Sequence, residues 1–133
     1  MGAGIAHVAA MAGIEVVLID AAQEAAERGK AQGEALLDKA MKRGKVTAGK
    51  KAEVLARITP TTDYAALAGC DLVVEAVFED PEVKAGVTAK AEAVLGADAV
   101  FATNTSTLPI TGLARASARP ERFIGIHFFS PVD

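Results

Sequence analysis

The sequence is poor in aromatic residues, contains no tryptophan and has a single cysteine. Because aromatic residues make up only 5%, a packed core has to be built from Ala, Val, Leu and Ile, and hydrophobic residues at 51% supply enough for one domain of 133 residues. The lone Cys70 excludes an internal disulfide framework and fits a reducing compartment. No apolar run is long enough to cross a bilayer, and the stretch from Met1 to Gly13 lacks the basic segment of a signal peptide.

Charge excludes one class of partner and leaves another open. A formal net charge of −3 gives no global field for nucleic acid, and we predict no metal site. One region is nevertheless basic, and it comprises Lys39, Lys42, Arg43, Lys45, Lys50 and Lys51. This basic region is either a solvated helix face or a landing site for the phosphates of a large anionic substrate.

Apolar runs alternate with helical segments along the whole chain. The predicted strands cover residues 16–19, 58–60, 71–77, 99–103 and 122–127, and the predicted helices cover 2–12, 21–44, 50–57, a segment that begins at 80–82, and 109–116. The runs at 16–19 and 71–77 are typical of strands buried on both faces. Strands separated by helices predict an α/β fold, a doubly wound, mostly parallel sheet of the Rossmann type in one domain.

The helix that begins at 80–82 has the clearest start signal. Asp80 can serve as N-cap, and Pro81 suits the first helical position. Helical spacing then predicts one apolar face, made of Val83, Val87, Ala91, Val94 and Leu95.

The N-terminal residues indicate one end of a dinucleotide site. Such a fold usually opens with a strand, a tight glycine turn and a helix whose N-terminus binds the pyrophosphate. This chain opens at Met1-Gly2-Ala3-Gly4, already at that helix, so we expect an incomplete domain that lacks its first strand. Alone, the glycine pair predicts only a close contact between helix and strand.

Asp20 strengthens the interpretation as a dinucleotide site. It follows the apolar run at 16–19, where a carboxylate can accept hydrogen bonds from the adenosine ribose hydroxyls and repel a 2′-phosphate. This position therefore favours NAD over NADP. Asp20 could equally serve as N-cap of the next helix, and the two roles are compatible.

Polar residues directly follow three other predicted strands. They are Val77-Phe78-Glu79, Asn104-Thr105-Ser106 and His127. Taken alone, His127 is more simply a structural histidine, but three polar strand ends at one edge of a parallel sheet predict a site. His7, in the middle of the first helix, is assigned no role.

These segments, in this order and spacing, resemble L-3-hydroxyacyl-CoA dehydrogenase. The resemblance rests on the segments at 1–6, 16–20, 71–80, 101–106 and 125–131, and it extends over nearly the whole chain. It implies NAD-dependent oxidation of (S)-3-hydroxyacyl-CoA to 3-oxoacyl-CoA in fatty-acid β-oxidation.

The resemblance also implies roles for individual residues. His127 matches the general base, and Ser106 matches the residue that holds the substrate hydroxyl and the nicotinamide end. The substrate set also includes Asn104, and Arg43 lies where the family meets the CoA phosphates. The cofactor-contacting set is Met1, Gly2, Asp20, Val77, Phe78, Glu79, Lys84, Ser106 and Ser130.

Two departures from the family pattern affect these expectations. The glutamate that orients the family's histidine lies beyond His-Phe-Phe-x-Pro, and the sequence ends at Asp133 before it and before the C-terminal helical domain. We therefore expect no turnover from residues 1–133 alone. Ser130 replaces the Asn usual in monofunctional enzymes, which is closer to multifunctional α subunits.

That similarity implies an oligomeric full-length protein, with a thiolase subunit as a candidate partner. Composition favours a bacterial cytoplasm over a mitochondrion or a peroxisome. Two other functions stay open: another β-hydroxyacid or sugar-nucleotide dehydrogenase on the same fold, and a non-catalytic nucleotide-binding module.

Overall fold

The structure is a computed structural model that describes residues 1–132. It divides into two compact units. The first, here called the N-terminal unit, runs from Met1 to Asp63 and includes the residues from Ser130 onward. The second, the C-terminal unit, is Tyr64–Phe129.

The N-terminal unit contains three helices and two strands. In chain order they are α1 (Gly2–Met11), β1 (Val16–Ile19), α2 (Gln23–Lys42), α3 (Ala48–Ala56) and β2 (Ile58–Thr61). All five were predicted, and the structure shortens α2 at both ends. α1 stops before Gly13, whose φ of 92° is a left-handed conformation that favours glycine.

The core of the N-terminal unit is aliphatic. Ala10, Leu37, Val54 and Ile58 form one buried cluster, and β1 pairs with β2 in parallel, from Val16 opposite Ile58 onward. The prediction that β1 is buried on both faces is wrong, because all four of its residues are only half-buried. The physical reason is that β1 pairs on one edge only within residues 1–132.

His7 is the buried ionisable residue of this unit. It lies on α1 with 8% of its surface exposed, close to Gly33 of α2. Its Nδ1 has no hydrogen-bond partner within the described residues, and burial lowers the pKa of the imidazole. His7 is therefore a neutral packing residue, consistent with the absence of an assigned role.

The C-terminal unit contains the other three strands. Its elements are β3 (Leu72–Glu75), α4 (Pro81–Glu92), β4 (Val100–Thr103), α5 (Ile110–Ala114) and β5 (Phe123–Gly125), with 3₁₀ turns at Tyr64–Leu67 and Pro120–Arg122. β4 lies between β3 and β5, and both pairings are parallel. The rings of Phe101 and Phe123 stack with centroids 5.4 Å apart.

The start of α4 is as predicted, and its apolar face is partly as predicted. Asp80 caps the helix by accepting hydrogen bonds from the N–H groups of Glu82 and Val83. The helix buries Ala91, as expected, together with Lys84 and Thr88, whereas Val83 is 44% exposed. The prediction fails at Val83 and misses Lys84, because Lys84 has a buried anionic partner, Glu75, that hydropathy does not reveal.

Every strand pair is parallel, which confirms the Rossmann-type fold class. The strands form two sheets, one of two strands and one of three, instead of the single sheet that was predicted. Within residues 1–132 no strand of one sheet pairs with a strand of the other. β3 also departs from the prediction of burial on both faces, since Leu72 is exposed and Glu75 is its buried residue. No helix in this part of the chain combines the length and hydropathy needed to span a membrane.

Candidate active site

The N-terminus of α1 offers free main-chain donors. Met1 is the N-cap residue, no side chain within residues 1–132 caps this end, and the first turn has no acidic residue. A Cβ at Gly4 would lie 2.7 Å from the Val132 carbonyl oxygen, so only glycine permits this approach of two main chains. Uncapped N–H groups at the positive end of a helix suit an anion such as a pyrophosphate.

Asp20 is exposed at the carboxyl end of β1. Its Oδ1 accepts a hydrogen bond from the Ala21 N–H at 2.7 Å. The alternative role as a helix cap is wrong, because Ala22 is the N-cap residue of α2 and no side chain caps that helix. Within the described residues Oδ2 accepts no hydrogen bond, and the carboxylate can therefore accept from a ribose hydroxyl.

The basic region is partly neutralised inside the N-terminal unit. Lys51 Nζ lies 2.6 Å from Asp38 and 3.1 Å from Glu34, and these contacts raise the pKa of Lys51. Lys50 pairs with Glu53 at 3.6 Å. Arg43 is exposed as the C-cap residue of α2, where the helix dipole favours a cation. A solvated face thus accounts for part of the cluster, and a phosphate contact near Arg43 stays a prediction.

In the C-terminal unit, Glu79 joins the ends of β3 and β4. Its Oε2 accepts hydrogen bonds from the hydroxyls of Thr105 at 2.7 Å and Thr107 at 2.9 Å. The N–H groups of Ser106 and Thr107 donate to the same oxygen, both at 3.2 Å. The Thr105 hydrogen bond is the main cause that lowers the pKa of Glu79 to about 2. Glu79 is therefore ionised at neutral pH and cannot act there as a general acid.

Lys84 and Glu75 form a buried ion pair next to Glu79. Lys84 Nζ is 2.7 Å from Glu75 Oε1, and the two side chains are only 2% and 1% exposed. Glu75 also accepts from the Val77 N–H at 2.8 Å and from the Thr103 hydroxyl at 2.7 Å. This network escaped the sequence analysis, although Glu75 interrupts an apolar run and Lys84 occupies a helix position in line with the buried Thr88 and Ala91.

Lys84 has little freedom to contact a ligand. Besides Glu75, its ammonium lies 3.2 Å from Glu79 Oε1 and donates to the Val77 carbonyl at 3.2 Å. Three acceptors match the three N–H bonds of an ammonium group. The cofactor contact expected for Lys84 stays a prediction, and the structure shows Lys84 contacting two carboxylates.

His127 lies two residues beyond β5 and is exposed. Its ring is tilted 46° against the Phe129 ring, with centroids 4.8 Å apart. The next residue, Phe128, donates its N–H to Asn104 Oδ1 at 2.7 Å. The ends of β4 and β5 are thus joined directly, as Glu79 joins β3 to β4.

The three predicted strand ends are therefore brought together by hydrogen bonds within one unit. Ser106 is exposed beside them, and so are Val77 and Phe78, the latter by 86%. The other predicted site residues, which are Met1, Gly2, Asp20, Arg43 and Ser130, belong to the N-terminal unit.

The residues of each unit fit NAD when taken separately. The N-terminal unit supplies an uncapped helix terminus for phosphates and a free carboxylate oxygen for a ribose. The C-terminal unit supplies exposed apolar side chains at 77–78 next to polar groups at 104–106 and an exposed imidazole at 127. This combination suits the redox end of a dinucleotide and an alcohol substrate.

Comparisons with known proteins agree with this chemistry. A family model described as 3-hydroxyacyl-CoA dehydrogenase, NAD binding domain, matches residues 1–133. Similar solved structures include a 3-hydroxybutyryl-CoA dehydrogenase from Escherichia coli (43% identity, TM-score 0.94) and (S)-3-hydroxybutyryl-CoA dehydrogenase PaaH1 from Ralstonia eutropha (39%, TM-score 0.95). The dehydrogenase part of a multifunctional enzyme from C. elegans is 30% identical, with a TM-score of 0.84.

The matches cover 99% of this chain but only part of each relative. The covered share is 28% of the Escherichia coli protein, 47% of the Ralstonia eutropha protein and 30% of the C. elegans protein. The chain thus spans less than half the length of each of these three relatives.

Proposed function

This chain belongs to the family of 3-hydroxyacyl-CoA dehydrogenase NAD-binding domains, and from this membership we propose that the protein oxidises (S)-3-hydroxyacyl-CoA to 3-oxoacyl-CoA with NAD. The observation on which the proposal depends is the joining of three strand ends. Residues 105–107 donate hydrogen bonds to Glu79, and the Phe128 N–H donates to Asn104, which holds Ser106 and the segment of His127 at one edge of the sheet.

In the proposed reaction His127 is the general base. Its neutral imidazole accepts the proton of the 3-hydroxyl group while a hydride leaves C3, and the C–O bond becomes a carbonyl. NAD, when bound, supplies the acceptor for that hydride. Imidazole suits the task because its ordinary pKa lies close to neutral pH. Ser106 hydrogen-bonds the substrate oxygen and thereby directs its proton toward the imidazole.

We assign cofactor binding to both units. In the N-terminal unit the start of α1 at Met1 and Gly2 receives the pyrophosphate, Asp20 accepts from the ribose, and Ser130 is a further contact. In the C-terminal unit the segment 77–79 flanks the nicotinamide end. Four donors occupy Glu79 Oε2, so contacts from this segment come mainly from its main chain and from Glu79 Oε1. Lys84 contributes through Glu79.

We also propose contacts between this protein and the acyl-CoA substrate. Arg43, exposed at the C-terminus of α2, is positioned to bind a phosphate by charge-assisted hydrogen bonds. For Asn104 a substrate contact is the alternative role, and its amide NH₂ group would be the main donor in that contact, since its oxygen already accepts from the Phe128 N–H.

We further propose a wider setting for this reaction. The activity serves fatty-acid β-oxidation in a full-length oligomeric protein, with a thiolase subunit as candidate partner, in a bacterial cytoplasm. Residues 1–133 alone would bind NAD without turnover, since the family's partner glutamate and helical domain contribute to the reaction. The similarity to the dehydrogenase part of a multifunctional enzyme from C. elegans supports the alternative that this domain belongs to a multifunctional protein.

Substitution of His127 tests the proposed function. In the full-length protein, His127→Asn should lower the rate of 3-hydroxyacyl-CoA oxidation by about 10²- to 10⁴-fold, the usual contribution of a general base. NADH affinity, measured by fluorescence titration, should stay the same. The matched control is His7→Asn, which replaces the other histidine, outside the site, and should leave the turnover number unchanged.

Two results would contradict the proposal. Unchanged turnover in His127→Asn would remove His127 from the reaction. NADH binding without oxidation of any 3-hydroxyacyl-CoA by the wild-type full-length protein would instead favour the non-catalytic nucleotide-binding module.

A further inference from the structure

His127 lies between two residues whose main chains are both tied to β4. The last ladder bond between β4 and β5 runs from the Ile126 N–H to the Thr103 carbonyl at 3.0 Å. The strand has ended at Gly125, so no ladder bond follows at 128. The Asn104 side chain supplies the acceptor at this position, where its Oδ1 accepts a hydrogen bond from the Phe128 N–H at 2.7 Å.

Asn104 is itself fixed to the neighbouring strand. Its main-chain N–H donates to the Glu75 carbonyl at 2.8 Å, which continues the pairing of β4 with β3 beyond Thr103. Glu75 is in turn held by the buried ion pair with Lys84. The side chain that holds residue 128 thus projects from a main chain anchored to β3.

We propose that Asn104 is a positioning residue that sets the orientation of the His127 imidazole through the Phe128 N–H. This inference rests on the proposed function, in which His127 is the base. The restraint acts on the main chain on both sides of His127, and contact of the ring with Phe129 adds a third point. Restraints of this kind matter because a displacement of about 1 Å in a reacting group can cost about 100-fold in rate.

The residue type suits this task. The Phe128 N–H can only donate, so the amide must present its oxygen to it, which fixes the orientation of the whole amide. The amide is also neutral. A carboxylate here would accept the same hydrogen bond but would add a negative charge where the ends of β4 and β5 are joined.

A direct substrate contact is the competing role for Asn104, and kinetics separate the two. Loss of a substrate contact made equally in the ground and transition states raises KM and spares kcat. Loss of a positioning contact lowers kcat and changes the surroundings of the imidazole even without substrate. The imidazole NMR signals of His127, identified by their loss in His127→Asn, report those surroundings.

The experiment compares three variants of the full-length protein. Asn104→Ala removes the acceptor, and Asn104→Asp keeps the acceptor but adds charge. The control, Ser117→Ala, removes side-chain bonds elsewhere in the same unit, namely the one that the Arg119 N–H donates to the Ser117 hydroxyl at 3.0 Å and the one that this hydroxyl donates to Glu92.

For Asn104→Ala we expect shifted or broadened His127 signals, a kcat lower by about 10- to 100-fold, and an acyl-CoA KM within about twofold of wild type. For Asn104→Asp, which keeps the acceptor, we expect His127 signals as sharp as in wild type and a smaller loss of kcat than in Asn104→Ala. Ser117→Ala should match wild type in all three measurements, and NADH affinity should be equal in all variants.

Three results would overturn the inference. Two of them concern Asn104→Ala. One is a set of His127 signals identical to those of Ser117→Ala, and the other is a rise in the acyl-CoA KM at constant kcat. In Asn104→Asp, which keeps the hydrogen bond and should fold even if the alanine variant does not, the result is broadened His127 signals together with a kcat lower by about 10- to 100-fold, the values expected for loss of the acceptor. The NMR comparison requires no turnover, so it remains decisive even if His127→Asn shows that His127 is not the base.

Discussion

The two units use polar residues in opposite ways. In the N-terminal unit the core cluster is aliphatic, and the candidate site residues Asp20 and Arg43 are exposed with few protein contacts. In the C-terminal unit a charged pair is buried, and Glu79, Asn104 and the loop at 105–107 bond one another. One unit therefore presents single groups to a ligand, whereas the other holds its groups in place before any ligand arrives.

This difference teaches how burial and function are linked in this domain. An exposed carboxylate such as Asp20 contributes little to stability and can be changed at little structural cost. A buried pair such as Glu75 and Lys84 is costly to break, because the remaining charge is left without a partner. Removal of one of these charges should therefore lower stability in the C-terminal unit and ligand affinity in the N-terminal unit.

The largest expected effect comes from breaking the buried pair. Lys84→Met should lower the free energy of unfolding by about 3–5 kcal/mol, since Glu75 then stays buried and unpaired. The double variant Glu75→Gln/Lys84→Met should lose less, because no buried charge remains. Urea unfolding of the full-length protein would measure both changes.

The control for this prediction lies in the core of the other unit. Leu37→Ala should lower the free energy of unfolding by about 2–5 kcal/mol through a cavity. Adding Glu75→Gln should restore none of that loss, whereas it should restore part of the loss caused by Lys84→Met. A double variant Glu75→Gln/Lys84→Met as unstable as Lys84→Met would erase the proposed difference between the units.

Asp20 should show the reverse pattern, with a large effect on binding and little on stability. Asp20→Asn keeps an acceptor for the Ala21 N–H but loses the charge, and NADH affinity should fall about tenfold or more, as for charged hydrogen bonds elsewhere. The preference for NADH over NADPH should also weaken. Isothermal titration with each dinucleotide measures both effects.

The matched control is another exposed aspartate. Asp98 belongs to the C-terminal unit and pairs only with Arg122, at 3.3 Å, with its side chain 98% exposed. Asp98→Asn should leave both dinucleotide affinities unchanged. An unaltered NADH affinity in Asp20→Asn would remove Asp20 from the cofactor site.

The smallest effect is the pH dependence of the Glu79 contacts. The pKa of Glu79 is lowered in the folded protein from its ordinary 4.5 to about 2. Its stabilising contribution is therefore present above pH 4.5 and is lost as the pH falls from there toward 2. Amide hydrogen exchange at Ser106 and Thr107 should accelerate across that window in wild type. In Glu79→Gln the same amides should exchange faster already at neutral pH, and their exchange should be much less sensitive to acid in that window. Protection of these amides equal to wild type in that variant would contradict the role of the carboxylate.

Local signals explain what the sequence predicted well. The cap at Asp80, the stop at Gly13 and the apolar runs each depend on a few neighbouring residues, and all three appear in the structure. The polar strand ends were also predictable, because parallel strands bring their carboxyl ends to one edge.

Non-local partners explain what the sequence did not predict. Lys84 was expected to contact the cofactor, and its ion pair was missed because its partner Glu75 lies nine positions away on another element, while Thr103 is 28 positions from Glu75. The apolar face predicted for α4 is therefore right at Ala91, which is buried, and wrong at Val83, which is exposed. Asn104 was expected to contact substrate, and only the structure shows its oxygen accepting from the Phe128 main chain.

The most direct test of the central claim is a crystal structure of the full-length protein with NAD and a 3-oxoacyl-CoA, which cannot react because both are oxidised. The account predicts an imidazole nitrogen of His127 and the hydroxyl of Ser106 both at about 3 Å from the 3-oxygen of the substrate, with Asn104 still bound to the Phe128 N–H. A 3-oxygen bound out of reach of both side chains would contradict it.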